Sequence, residues 1–188
     1  MHALDRASDS IAPALLLSMP QLSDPNFRQT VVLLCQHSAE GAWGLVLNRP
    51  TGRSAAMLVQ LDPPVTSDNG LELWIGGPVE AQRGCLLLGE NLDENECVEV
   101  CDGLYISGSP TLLRRLMEGP ARPRTRLLIG YAGWGPGQLD EELKQSAWLL
   151  SDVPVDLIFD GEPEGMWEAA IRRLGCDPGS LHMSFGVH

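Results

Sequence analysis

A glycine-rich stretch at the start of a predicted helix is the clearest candidate for a binding site in this sequence. Residues 130–143 read GYAGWGPGQLDEEL, with four glycines and one proline between an apolar run and an acidic helical pattern. Glycine lets another group approach the backbone closely, and the first turn of a helix presents unpaired N–H groups. The stretch indicates either a site for an anion or a polar loop, or a tight turn that packs Tyr131 and Trp134 in the core. Its three acidic residues would compete with an anionic ligand.

A second glycine pair occurs in GGPV, residues 76–79. The two glycines permit an unusual bend and the proline removes a donor from the strand ladder, which is typical of a bulge. If this segment lies beside residues 133–137, the two bare backbones form the wall of a cleft. Asn48, Arg49 and Arg83 would be the polar groups of that cleft, and either arginine would serve as a clamp for an anion.

Common nucleotide-binding and nucleophile motifs do not occur in the sequence. Neither G-x-G-x-x-G, G-x-x-x-x-G-K-[ST] nor G-x-S-x-G is found. Among the four histidines only His37 is an internal candidate for a base, and a single histidine at a strand end is typical of a hydrogen-bonded surface residue. Alternation places Cys97 and Cys101 on one strand face, but no C-x-x-C or H-E-x-x-H accompanies them. The sequence identifies no catalytic residue and predicts neither a metal site nor a cofactor.

Composition restricts the class of protein. The chain has 188 residues, which fits one domain over residues 12–188 after a flexible segment at 1–11. Its net charge of -12 disfavours direct nucleic-acid binding, although five arginines between 114 and 126 indicate either a basic patch or a solvated face. The absence of a signal-like or membrane-spanning apolar run favours a soluble cytoplasmic protein without membrane partners. The five cysteines are expected to be reduced.

Hydrophobic periodicity and turn residues predict an α+β chain in which hairpins are frequent. Asp102 and Gly103 form the strongest turn signal, between two alternating strands. Helix signals begin at Ser109 and Pro110 and end at Gly119. The predicted strands are 12–20, 30–37, 41–50, 71–79, 83–90, two within 96–108, 124–134 and 155–160, and the predicted helices are 51–61, 109–118, 138–148 and 165–174.

Several of these motifs occur together and in a characteristic order. LLLSMPQLSDPNFRQTVVLLCQHSAEGAWGLVLNRP is followed by GGPV with RGCLLL, and then by GYAGWGPGQLDEELKQSAWLL with LIFD. From residue 12 to Gly186 the chain resembles the AlgH/YqgE family of bacterial proteins. The resemblance implies an α+β domain with a complex, bifurcated sheet bent into a pseudo-barrel and flanked by helices. Some members carry the label of transcriptional regulator, linked to alginate synthesis, but the family offers no catalytic residues or DNA-binding motif to transfer.

The sequence therefore predicts a cytoplasmic regulatory or interaction protein of the AlgH/YqgE type that binds a protein partner or an unidentified small ligand, and affects transcription indirectly. One alternative is a small-molecule sensor or enzyme with a site at the helix start after Gly137. Another is a DNA-binding regulator, and the oligomeric state stays open. The residues of the candidate surface are Asp24, Pro25, Asn48, Arg49, Gly76, Gly77, Pro78, Arg83, Gly133, Trp134, Gly135, Pro136, Gly137 and Gln138.

Overall fold

The computed structural model describes residues 10–22 and 24–183 of the chain, so nearly all of the expected flexible segment 1–11 lies outside the described residues. None of the helices in this part of the chain combines the length and the apolar composition that crossing a membrane requires. The strands are β1 Ala14–Ser18, β2 Val31–Ser38, β3 Gly41–Val46, β4 Pro50–Ser54, β5 Glu72–Ile75, β6 Val79–Leu88, β7 Val98–Cys101, β8 Leu104–Ser107, β9 Thr125–Trp134 and β10 Trp148–Ser151. The α-helices are α1 Pro110–Glu118, α2 Gln138–Lys144, α3 Val155–Asp160, α4 Met166–Arg173 and α5 Pro178–Met183.

One sheet contains all the strands of the described residues. Its order is β10-β1-β2-β3-β9-β6-β8-β7, and β4 and β5 form a branch beside β9. β5 runs parallel to β9 over Leu127–Ile129, whereas β3 runs antiparallel to the same edge of β9 over Ala132–Trp134. The sheet therefore divides into two branches midway along β9, and it curls into a half-barrel. The α+β fold with a bifurcated, bent sheet is confirmed.

Close backbone packing at three glycines makes this division possible. The Gly76 N–H donates to the Ile129 carbonyl at 2.7 Å, and the Gly76 carbonyl accepts from the Val46 N–H at 2.8 Å. Gly77 and Gly130 have φ angles of 152° and 71°, in the left-handed region that favours glycine. A Cβ added to any of the three would overlap backbone atoms of the facing segment. GGPV therefore lies against residues 130–132 of β9.

The apolar core occupies both faces of the curved sheet. Cys35 of β2 and Cys101 of β7 pack in the same cluster and are close enough for the Cys101 thiol to raise the pKa of Cys35, although five strand spacings, about 24 Å in a flat sheet, separate their strands. The face that carries this cluster is therefore the concave face, and α3 and α4 cover part of it with residues such as Ile158 and Trp167. On the convex face, α2 packs over the β2 and β3 half and α1 packs over the β6 half.

Several local predictions are confirmed. The β2 and β3 strands pair as a hairpin, and Asp102 and Gly103 form the turn between β7 and β8, with Gly103 at φ 74°. The Ser109 hydroxyl caps α1 by accepting from the Leu112 N–H at 3.1 Å, and Pro110 begins the helix. Strong turn and cap chemistry therefore identified these boundaries from the sequence.

The predicted helix over 51–61 is wrong, and so is the prediction that the preceding strand continues to Pro50. β3 ends at Val46, and Pro50 begins β4, which pairs with β5. Gly52 has a φ of 69°, and the Thr51 hydroxyl donates to the Leu73 carbonyl at 2.7 Å instead of capping a helix. Ser54 does cap, but only a short 3-10 turn at Ala55–Met57. Met57 is 71% exposed, so the apolar spacing did not mark a buried helix face.

The prediction of a strand at 155–160 is also wrong, because these residues form α3. The apolar β-branched run favoured a strand, but Pro154 precedes the helix and Asp156 lies in its first turn, both signals of a helix start. The helix predicted over 138–148 ends at Lys144 instead. Trp148 begins β10, which pairs with β1 at the edge of the sheet.

We predict that Gly77→Ala and Gly130→Ala each lower the free energy of unfolding by about 3 kcal/mol or more, because the new methyl group would overlap backbone that cannot move without breaking the sheet. Urea denaturation followed by circular dichroism measures the change. Gly165→Ala is the matched control, since Gly165 has a φ of -93° and open space beside it. Equal stability of all three variants would contradict the role of the glycine junction.

Candidate functional site

A groove of about 550 Å³ opens on the concave face, on the part that α3 and α4 leave uncovered. Its apolar side chains come from β3, β6, β7, β8 and β9. Its lining includes Gln36, Glu40, Trp43, Leu45, Arg83, Cys85, Glu96, Val98, Ile106, Ser107, Gly108 and Tyr131. The volume lies in the range of sites that hold a small ligand or a few side chains of a peptide.

Two aromatic rings form one wall of the groove. The rings of Trp43 and Tyr131 meet edge to face with centroids 6.4 Å apart, and the Trp43 indole N–H donates to the Gln36 side-chain oxygen at 3.1 Å. Gly133 lies opposite Trp43 in the strand pair, and a Cβ there would lie 3.3 Å from the Tyr131 ring. The absence of a side chain at Gly133 therefore leaves room for this aromatic pair.

Irregularities in two strands turn these groups toward the concave face. Leu128 points into the concave cluster, and strict alternation would place residue 132 on the same side as residue 128. The left-handed backbone of Gly130 shifts the alternation by one residue, so that Tyr131 faces the groove and Ala132 packs on the convex side. A bulge between Leu34 and Gln36 has the same effect in β2.

The rim of the groove on the β6 side is a long bulge. Val79 pairs with Tyr131 and Gly84 pairs with Ile129, so the residues between Val79 and Gly84 project from the sheet and are exposed. The Arg83 guanidinium lies 5.8 Å from the centroid of the Tyr131 ring and forms an ion pair with Glu80 at 3.3 Å. This bulge therefore places an exposed ion pair over the aromatic wall.

Two other lining residues carry carboxylates. Glu40 lies in the turn between β2 and β3, and Glu96 precedes β7. One oxygen of Glu96 is buried without a hydrogen-bond partner among the described residues. Its nearest cation is the Arg115 guanidinium at 3.8 Å, which lies closer to Asp93 at 3.1 Å. Glu96 is therefore only partly neutralised by its surroundings.

Cys85 is the one cysteine among the described residues that line the groove. Burial suppresses the ionisation of its thiol. Burial raises the pKa of the Cys85 thiol to about 11, and Arg83 opposes this shift in part. The pKa of Cys35 beneath it is also raised, first by burial and then by the thiols of Cys85 and Cys101. A thiol with a raised pKa is a poor nucleophile at neutral pH. The Cys85 thiol is therefore not an activated nucleophile at neutral pH.

The structure places only some of the predicted surface residues at the groove. Arg83 and Trp134 line the groove, and Gly76, Gly77, Pro78 and Gly133 lie close to it at the division of the sheet. The other predicted residues, Asp24, Pro25, Asn48, Arg49, Gly135, Pro136, Gly137 and Gln138, lie outside its lining. Their assignment to a binding surface stays a prediction.

Asn48 and Arg49 connect the segment after β3 to the turn before β2. The Asn48 side chain accepts from the Val31 N–H at 3.0 Å and donates to the Gln29 carbonyl at 2.9 Å, and it is 5% exposed. The Arg49 guanidinium donates to the carbonyls of Arg28 and Asn48, and partial burial lowers the pKa of Arg49. Both side chains therefore connect the segment after β3 to the turn before β2 through hydrogen bonds.

The glycine-rich stretch at 130–143 packs an aromatic cluster. The rings of Phe27, Trp134 and Trp148 lie 5.5–6.4 Å apart, and both indoles donate to one oxygen of Glu142, at 2.9 and 2.7 Å. Asp24 and Pro25 begin the short 3-10 turn that carries Phe27. This arrangement matches the interpretation of the stretch as a tight turn that packs Trp134.

The loop before α2 also satisfies its own polar groups. The Gly135 N–H donates to the Gln138 side-chain oxygen at 3.0 Å, and the Gln138 amide donates to Glu142 at 3.0 Å. Gly137 has a φ of 70°, which a side chain would strain. Asp140 and Glu141 lie in the first turn, where they already interact favourably with the helix dipole.

His37 joins β2 to α2. Its Nε2 lies 3.1 Å from the Asp140 carboxylate, and the Ile11 N–H approaches its Nδ1 at 3.5 Å. His37 is hydrogen-bonded, as predicted, but it is buried at 8% exposure and is not a surface residue. Both ring nitrogens therefore take part in contacts that connect β2 to neighbouring segments.

The prediction that Cys97 and Cys101 share a strand face is wrong. Cys97 packs on the convex side near α1, whereas Cys101 packs against the concave cluster. A register shift between Glu99 and Cys101 reverses the alternation, since Val100 and Cys101 both belong to the concave side. Among the described residues, no group of His, Cys, Asp and Glu is arranged to hold a metal ion.

Sequence reasoning missed most of the groove. Trp43 and Leu45 share a face by simple alternation in GAWGLV, and Ile106 could be placed by the Asp102 and Gly103 turn, so these residues carried a readable signal. Glu96 carried none, because its position depends on the loop that precedes β7 and on Arg115 of α1.

We predict that Glu142→Ala lowers the free energy of unfolding by about 3 kcal/mol, because two indole N–H groups lose their acceptor. Glu141→Ala is the matched control, since Glu141 is exposed and pairs only with Lys144 of its own helix, and we expect a loss below about 1 kcal/mol. Urea denaturation of both variants tests this. Similar losses would show that the aromatic cluster does not depend on Glu142.

We predict that Cys85 reacts slowly with iodoacetamide although it lines the groove. A pKa of about 11, compared with 9.0 for an ordinary cysteine, makes its thiolate about 100-fold rarer at pH 7. The rate should therefore rise about tenfold per pH unit between pH 7 and 9. Peptide mapping by mass spectrometry measures it, with the exposed Cys176 as the internal reference. Alkylation of Cys85 as fast as that of Cys176 would contradict the burial of this thiol.

Comparison with known proteins places this fold in a family. The model of the AlgH-like family matches residues 15–179. A UPF0301 protein of Myxococcus xanthus is 38% identical, over 95% of this chain and 99% of that protein, and one of Paracoccus denitrificans is 40% identical, over 91% and 93%. The solution structure of the AlgH protein from Pseudomonas aeruginosa has a TM-score of 0.75 and 35% identity, with 98% of each chain covered. The crystal structure of DIP2367 from Corynebacterium diphtheriae, at 20% identity and a TM-score of 0.68 over 97% of this chain and 93% of that chain, shares the fold. The chain belongs to the AlgH-like family.

Proposed function

We propose that this protein is a cytoplasmic, non-enzymatic interaction protein that binds a short segment of a partner protein in the concave groove. The observation that carries the proposal is an apolar, aromatic groove of about 550 Å³ on a face that is otherwise covered by α3 and α4. Trp43, Tyr131 and Arg83 belong to the residue types that are enriched at protein interfaces. A regulatory effect on transcription would follow from partner binding.

The chemistry of the groove supports binding over catalysis. Histidine is absent from its described lining residues, and the pKa of Cys85 is about 11. His37 and Asp140 form a hydrogen-bonded pair, but they lie on the convex side with α2 and bind no nucleophile among the described residues. Nucleophilic catalysis requires a base beside an activated nucleophile, and the Cys85 thiol of the groove is not activated.

The charge distribution supports a protein partner over a nucleic acid. The net charge is -12, which opposes binding to phosphate backbones. Each of the five arginines that suggested a basic patch either forms an ion pair or is buried. Arg114 pairs with Glu118, Arg115 with Asp93, Arg122 with Glu90 and Arg124 with Asp160, and Arg126 is buried. Their charges are therefore neutralised or hidden from a phosphate backbone.

Gly108 offers a way to block the groove without disturbing the fold. It lines the groove, its backbone is unstrained, and a Cβ added there meets no atom within 4 Å. We predict that Gly108→Leu lowers the affinity for groove-specific peptides at least tenfold. The free energy of unfolding should not change. Selection of a random library of dodecapeptides displayed on phage, against the wild-type protein and this variant, measures the effect.

Gly165→Leu is the control, since Gly165 is equally open and does not line the groove. Peptides selected on the wild-type protein should bind this variant unchanged. If the selected peptides bind Gly108→Leu as tightly as the wild type, or if the selection returns none, the groove is not the binding site.

A further inference from the structure

The charged side chains around the groove carry a net negative charge, which favours cationic ligands over anionic ones. Arg83 is the basic side chain among the described lining residues, and Glu80 pairs with it at 3.3 Å. Glu40 and Glu96 are the acidic lining residues. When the ion-pair partners are included, Glu80 pairs with Arg83, Asp93 and Glu96 pair with Arg115, and Glu40 is a fourth carboxylate. Four negative charges against two positive charges leave the groove region with a charge of about -2 at neutral pH.

Glu96 contributes a carboxylate that its surroundings neutralise only in part. Its buried oxygen lies 3.8 Å from the Arg115 guanidinium, which lies closer to Asp93 at 3.1 Å. Arg115 therefore shares its charge between two carboxylates, and the groove lining keeps a negative charge that a cationic group of a ligand would offset.

The aromatic wall favours the same kind of ligand. The faces of tryptophan and tyrosine rings attract cations, and their edges pack well against apolar side chains. Arg83 already lies 5.8 Å from the centroid of the Tyr131 ring, so this wall accommodates a cation in the structure. Leu45, Val98 and Ile106 provide the apolar floor beneath it.

We propose that the groove binds a partner segment in which an apolar side chain is flanked by lysine or arginine. The apolar side chain contacts Leu45, Val98 and Ile106, and the basic side chains interact with the carboxylates of Glu40 and Glu96, which also line the groove. This inference rests on the proposed function, because it names the chemistry of the segment that occupies the same groove. An anionic ligand would meet two lining carboxylates and one arginine that is already paired.

Three synthetic peptides test the proposal with the full-length protein: acetyl-Gly-Lys-Leu-Phe-Lys-Gly-amide, its analogue with glutamate at both lysine positions, and its analogue with serine there. Binding is followed through the backbone amides of Gly84, Gly108 and Gly130, which border the groove. Titrations at about 50 mM and about 500 mM NaCl separate electrostatic binding from apolar binding, because the higher salt screens exposed charges.

We expect the lysine peptide to bind about tenfold more tightly than the serine peptide at low salt, and the glutamate peptide to bind most weakly. At high salt the three peptides should bind with similar affinity. The Glu40→Gln/Glu96→Gln variant should lose most of the preference for lysine while it binds the serine peptide unchanged. Glu141→Gln/Glu164→Gln is the control, since it removes the same charge outside the groove and should keep the preference.

The outcomes distinguish this inference from the proposed function. Equal binding of all three peptides, or tighter binding of the glutamate peptide, would overturn the inference and leave the groove as a site for apolar segments. A preference for lysine that persists in the Glu40→Gln/Glu96→Gln variant would also overturn it. If none of the peptides shifts the groove amides, the proposed function fails together with the inference.

Discussion

The close backbone packing of Gly76, Gly77 and Gly130 is the constraint on which the rest of this structure depends. β9 accepts β5 along the first half of one edge and β3 along the second half of the same edge, and the change of partner takes place at these three glycines. No residue with a side chain fits there, because a Cβ would overlap facing backbone atoms. The division of the sheet and the alternation shift that turns Tyr131 toward the groove therefore have one local origin.

The aromatic cluster on the convex face fixes the other end of β9. Glu142 accepts hydrogen bonds from Trp134 and Trp148, and the ring of Phe27 packs between elements that are far apart in the sequence. The glycines before α2 allow this helix to start immediately after β9 and to bring Glu142 over Trp134. These glycines therefore have a structural role in the fold.

The sequence was informative wherever a local chemical signal decided the structure. The turn at Asp102 and Gly103 and the cap at Ser109 are examples, since each depends on its own side chain and backbone. The sequence was misleading where tertiary contacts determined the secondary structure of a segment. Residues 51–54 pair with β5 and residues 155–160 pack on the concave cluster, so their intrinsic patterns were overridden. The groove depends on alternation shifts at Gln36, Val100 and Gly130, which period-two reasoning cannot place.

The two ends of the concave face differ because different residues of β9 point into them. At the first end, Arg126 is 7% exposed, stacks 3.9 Å from the centroid of the Trp74 ring, and lies 5.5 Å from the ring of Phe159 in α3. Burial lowers the pKa of Arg126 to about 10, and nearby Glu72 opposes the shift. This guanidinium and α3 close the concave face at that end. At the second end, after Gly130, Tyr131 and the exposed bulge of β6 leave the face open. The described residues therefore leave a groove on the concave face beside Tyr131, where the lining includes an aromatic pair and two carboxylates.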